Sequence, residues 1–107
     1  PAIRPPERAA NCAPAWHLYA ARFDFAALGL SRNALMRALF DAGIGTQVHY
    51  IPVSQQPYYR ARYGAAHLPG TEAHYASCLT LPLFPTMQDG DVERVVAAIG
   101  QATGLQR

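Results

Sequence analysis

Between Gly43 and Tyr59 the chain reads GIGTQVHYIPVSQQPYY, and no other stretch restricts the backbone as sharply. Gly43 follows a helical pattern and can enter the left-handed conformation that ends a helix at little steric cost. Thr46 to Ile51, TQVHYI, then has the β-branched and aromatic content of a strand. Pro52 has no N–H to give a ladder, so that strand must stop or lie at an edge. The run therefore predicts a helix handing over to a strand and then a proline turn, with His49 and Tyr50 at the strand's far end.

The flanking patterns supply the remaining elements. Ser31 is placed to accept from the first free N–H groups of a helix. Leu35, Ala38, Leu39 and Ala42 repeat at helical spacing, Met36 and Phe40 widen that stripe, and Arg32, Asn33, Arg37 and Asp41 fill the opposite side. Upstream, Ala15 to Phe25 alternates Trp16 and Leu18 with His17, Tyr19 and Phe23, the pattern of a strand covered on both faces. Downstream, the spacing predicts a short helix or turn over Pro57–Tyr63, a second helical piece over Thr71–Cys78 and a short strand over Leu79–Leu83. A final amphipathic helix carries Val92, Val95, Val96 and Ile99, with Asp89, Asp91 and Glu93 gathered where the helix dipole favours negative charge. Residues 1–14, with Pro1, Pro5, Pro6 and Pro14, read as a lead or linker, and residues 15–107 as one domain.

This order of elements predicts an α+β fold in two layers, a short and mainly antiparallel sheet with helices on one face. The other face needs a cover, since either the Trp16/Leu18 set or the Tyr19/Phe23 set would otherwise leave an apolar patch.

Composition narrows the function classes. A chain of 107 residues, half of them apolar, suits one domain with its own core. It has neither an apolar run of membrane-spanning length nor a charged-then-apolar leader, which predicts a cytoplasmic protein with no membrane partner. Nine arginines against seven acids give a net charge of +2 without clustering, so no focused field for nucleic acid is expected. There is no lysine at all, and hence no side-chain amine with which this chain could form a Schiff base. Cys12 and Cys78 form no C-x-x-C pair and suggest no redox role.

Several groups have two readings each. His49 and Tyr50 can leave the strand end to meet a polar ligand in a cleft, or can pack as a satisfied pair beneath a loop. His74 and Cys78, four apart on a helix, could share a metal with His67, but their spacing supplies no full ligand set, so no metal is expected. Asp89, Asp91 and Glu93 read as helix-start charges and not as a calcium loop. Arg60 and Arg62 can meet phosphate or simply solvent. Tyr58, Tyr59 and Tyr63 can stack on a base or sugar, or serve packing.

GIGTQVHYIPV, then QPYY, then LPLFP, followed by an acidic-start helix with VERVVAAI, resembles the C-terminal small domain of the DegT/DnrJ/StrS family of sugar aminotransferases dependent on pyridoxal phosphate (PLP), fold-type I enzymes. The likeness runs from about Trp16 to Ile99 and is most specific at the H-Y-x-P block. It is strongest to members acting on nucleotide-linked 4-keto-6-deoxy sugars. The resemblance implies a small domain that caps a large PLP-binding domain absent from these residues, within a homodimer. It implies His49, Tyr50, Gln56 and Tyr58 as contacts to a sugar-nucleotide substrate, Pro52 as the residue fixing the loop's exit, and no catalytic or cofactor-binding residue in this chain. The parent would then move an amino group, from glutamate, onto a keto-sugar nucleotide in polysaccharide or glycan biosynthesis, and this chain alone would be inactive.

Three positions depart from the family pattern. Ser54 stands where relatives often have histidine, and Gln88 and Gly90 replace a threonine and a glutamate, which predicts a weaker cap on the last helix. The alternative from another class is a stand-alone, non-catalytic α+β module that binds a small molecule or a protein. Transcriptional regulation is a poorer fit, because Ser31 to Tyr50 gives a helix and a strand and not a helix-turn-helix.

Overall fold

Alternation along one strand decides which side of the sheet becomes core. In the computed structural model, which describes residues 1–105, strand β2 (Tyr19–Phe23) turns Ala21 and Phe23 inward, where both are buried. Two further strands flank it. β1 (Ile3–Arg4) pairs antiparallel with β2, Ile3 opposite Phe23 and Arg4 opposite Arg22. β3 (Cys78–Leu81) pairs antiparallel on the other side, Tyr19 opposite Leu81 and Arg22 opposite Cys78. The sheet order is β1-β2-β3. The proline-rich lead thus contributes two paired residues before Pro5 and Pro6.

Helix α1 (Arg32–Asp41) begins as its sequence predicts, with Ser31 Oγ accepting from the Ala34 N–H at 3.1 Å. It ends in a Schellman turn. Gly43, at φ +74°, donates its N–H to the Phe40 carbonyl, and Ile44 donates to the Leu39 carbonyl, each at 2.8 Å. Ile44 and Leu39 are both buried in one cluster, so the turn that stops the helix also seats the next residue in the core. α2 (Pro57–Tyr63), α3 (Pro69–Ser77) and α4 (Asp89–Thr103) follow.

Leu35 and Leu39 from α1 meet Val95 and Ile99 from α4 over Ala21, Phe23 and Leu79 of the sheet. This is the two-layer α+β arrangement expected. Each helix uses a narrower seam than its sequence suggests, however. Ala38, Ala42 and Phe40 on α1 are exposed, as are Val92 and Val96 on α4. A three-stranded sheet shared by two helices has room for one row from each, and the outer apolar positions stay uncovered. On the second sheet face, Arg22 Nε donates to Ser77 Oγ at 3.4 Å. Arg32, at the start of α1, donates to the Tyr75 and Cys78 carbonyls and lies 4.7 Å from the Tyr75 ring centre, joining α3 to α1.

The weak cap expected for α4 is corrected by Asp91, whose carboxylate accepts from the Gln88 N–H at 2.9 Å from the third helical position. The expected Ala15–Phe25 strand begins only at Tyr19, leaving Trp16 half exposed in the preceding loop.

The strand expected over Thr46–Ile51 is reduced to one pair, Gln47 with Thr80, which exchange N–H···O bonds of 3.1 and 2.8 Å. The reason lies in the partner strand. In this register the next donors on β3 would be Cys78 and Pro82. Cys78 gives its N–H to the His74 carbonyl at the end of α3, and proline has none to give. The ladder cannot grow in either direction, whatever the strand propensity of TQVHYI.

Candidate functional site

The Schellman turn, the core residue Ile44 and the Gln47–Thr80 pair fix the path of the chain into His49. His49 is half buried, its Nδ1 2.9 Å from Thr80 Oγ1. The Tyr50 ring meets the imidazole edge-on, with ring centres 4.6 Å apart at 88°, and the peptide between the two residues is cis. Tyr50 itself is 73% exposed. Beyond it Pro52 is buried and starts a single 3₁₀ turn, Val53–Gln55.

Gln56 Nε2 donates to the Ile51 carbonyl at 3.3 Å, bracing the loop across that turn. Pro57 then occupies the first position of α2, where its missing N–H costs nothing. Tyr58 is 63% exposed on this helix, its hydroxyl accepting from Arg62 at 3.5 Å and its ring edge-on to Tyr59. Tyr59 and Tyr63 stack, with ring centres 6.4 Å apart.

A cleft of about 280 Å³ opens beside this loop, lined by His17, Gln47, His49, Thr80, Pro82 and Leu83 among others. The structure therefore brings the H-Y-x-P block and the LPLFP block to one depression, with His49 in its wall. Tyr50 adjoins that wall through His49, Gln56 holds the loop, Pro52 anchors it, and Tyr58 stands on α2 outside the lining.

His17 entered the sequence pattern only as a strand residue, and Thr80 not as a site residue. The signal for His17 lay in strand register, since continuing the Tyr19–Leu81 pairing outward sets His17 opposite Leu83, and both line the cleft. Thr80 carried no such mark, because a threonine within a short strand looks like ordinary strand composition.

His67, His74 and Cys78 do not converge. His67 pairs with Glu72 at 3.1 Å, Cys78 is buried, and among the described residues no group of three or more His, Cys, Asp or Glu side chains is disposed to hold a metal. Burial pushes the Cys78 thiol above its usual range, with Arg32 pulling the other way. No described helix is long and apolar enough to cross a membrane.

Residues 2–100 match the family model of the DegT/DnrJ/EryC1/StrS aminotransferases. The chain belongs to that family. Its fold is similar to S. venezuelae DesV, solved with a ketimine intermediate, at 29% identity and TM-score 0.81, covering 100% of this chain and 28% of that one. It is similar to the sugar aminotransferase CalS13 from Micromonospora echinospora at 25% identity and TM-score 0.77, covering 94% and 25%. The PLP form of Spr1654 from Streptococcus pneumoniae matches at 25% identity and TM-score 0.82, covering 96% and 26%. The chain thus spans about a quarter of the length of these relatives. Its own residues do not fit a covalent PLP anchor, because none is lysine.

Proposed function

We propose that this chain is the C-terminal substrate-capping domain, residues 15–107 with a short lead, of a longer PLP-dependent sugar aminotransferase. The parent transfers an amino group from glutamate to a nucleotide-linked keto sugar in glycan or polysaccharide biosynthesis, as a cytoplasmic homodimer. Family membership supports the aminotransferase class. CalS13 supports a sugar as acceptor, and the PLP form of Spr1654 supports the cofactor. The observation that carries the role of this segment is the meeting of the H-Y-x-P and LPLFP blocks at one cleft.

Bound PLP supplies the electron sink for moving the amino group, held by groups outside this chain. The part taken here is recognition. His49 and Tyr50 offer a ring nitrogen and a phenol to sugar oxygens, Gln56 keeps the loop in shape, and Tyr58 extends an aromatic surface from α2. Covering the substrate would also exclude water from the reacting centre.

The test uses the longer enzyme with a nucleotide-linked 4-keto-6-deoxy sugar and glutamate. His49→Ala and Tyr50→Phe should each raise KM for the keto sugar several-fold, while KM for glutamate stays put. The isolated chain should show no turnover. Unchanged keto-sugar KM in both variants would remove the substrate role. A stand-alone binding module would instead be indicated if no longer open reading frame encloses the sequence.

A further inference from the structure

Thr80 is 7% exposed, and Gln47 engages both its N–H and its carbonyl. Its hydroxyl thus projects from a backbone that cannot easily shift, and its hydrogen-bond partner among the described residues is His49 Nδ1 at 2.9 Å. A buried hydroxyl hydrogen with no acceptor costs the full desolvation of that group, whereas an oxygen lone pair left unused costs less. The geometry favours the arrangement in which the threonine donates. In a neutral imidazole one nitrogen accepts and the other carries the proton.

We propose that Thr80 is a positioning residue for His49: its hydroxyl donates to Nδ1, holds the ring in the tautomer with the proton on Nε2, and so makes the free edge of His49 a hydrogen-bond donor. The group it would take is an acceptor oxygen, whether carbonyl, hydroxyl or phosphate. That this oxygen belongs to a sugar nucleotide rests on the function proposed above; the tautomer does not.

The first measurement is therefore independent of catalysis. In the ¹⁵N-labelled 107-residue chain, at a pH where imidazoles are neutral, the ring nitrogens of His49 should report a single tautomer protonated at Nε2. Thr80→Val should give a mixture of tautomers, and Thr80→Ser, which keeps the hydroxyl, should restore the single form. A wild-type ring protonated at Nδ1, or a valine variant indistinguishable from wild type, overturns the proposal. The wild-type spectrum alone decides the point if the valine variant fails to fold.

The second measurement follows the longer enzyme with the same keto-sugar nucleotide. Thr80→Val should raise its KM by roughly three- to tenfold with kcat little changed, the effect of one misdirected hydrogen bond, and Thr80→Ser should reverse it. If His49→Ala raises KM while Thr80→Val does not, the positioning role falls. If the tautomer shifts as expected while both variants leave KM unchanged, positioning stands and the substrate contact is what fails.

Discussion

Arg94 on α4 donates from Nη2 to the carbonyl oxygen of Ala42 at 2.7 Å, linking positions 52 apart in sequence. That carbonyl sits at the end of α1, where helical acceptors lack partners and the dipole favours a cation. The same guanidinium bounds the space beside Gly43, where an added Cβ would come within 2.8 Å of Nη2.

Two substitutions should separate these effects. Arg94→Met removes the link and should cost about 1 kcal/mol, lowering Tm by about 4–8 °C. Gly43→Ala must accept φ +74° with a side chain as well as displace the arginine, which should cost about 1–2 kcal/mol from the backbone alone. Thermal unfolding of the two variants checks the order. An alanine variant as stable as wild type would mean the turn can relax to a different conformation.

Neighbouring residues on α1 should respond very differently. Leu39 is fully buried against the sheet and α4, so Leu39→Ala should cost about 2–5 kcal/mol. Phe40, one position on, is 69% exposed, and Phe40→Ala should change stability by no more than about 0.5 kcal/mol. Urea unfolding of the isolated chain would detect the contrast; equal losses would mean that Phe40 is covered in solution.

Asp91 closes α4 from inside its first turn. Asp91→Ala removes the acceptor for the Gln88 N–H and should cost about 1 kcal/mol, whereas Asp89→Ala should cost less, its carboxylate having no such bond among the described residues. Amide exchange at Gln88 would provide a local reading of the same loss, and unchanged protection there would argue against the cap.

The two cysteines should behave oppositely toward an alkylating reagent near pH 8. Cys12 is exposed and should be modified in the native chain, while Cys78 is buried with a raised thiol pKa and should react only after unfolding. The sign of the linked stability follows. A thiol held protonated in the folded state contributes fully below the unfolded thiol's pKa, and its contribution is lost as pH climbs toward the higher folded value. Stability should therefore fall in the alkaline range, beginning near the ordinary thiol pKa, and Cys78→Ala should flatten that fall even if it lowers stability overall. Equal alkylation of both native thiols would contradict the burial.

Much of this fold was legible because local chemistry and packing agree in it. Ser31 caps α1, Gly43 stops it, and Val95 and Ile99 bury the inner side of α4, all from signals within one turn of sequence. What escaped depends on distant partners. The strand content of TQVHYI was real, but of the donors that would have extended it, the Cys78 N–H is committed to His74 and Pro82 has none. Phe40 and Val96 matched the helical stripe, but whether a stripe is covered depends on how many rows the sheet can hold. At the candidate site, His49 and Tyr50 stood out as residues, whereas the Thr80 contact required knowing which strand lies beside them.

The same arrangement around Gln47 and Thr80 bears on how the molecules behave together in solution. A second copy seeking to extend the sheet beyond β3 would find the donors at Cys78 and Thr80 engaged and none at Pro82. Beyond β1 it would find two paired residues followed by Pro5 and Pro6. The β3 flank therefore resists strand-to-strand pairing with another molecule, so growth of the sheet past that edge is disfavoured.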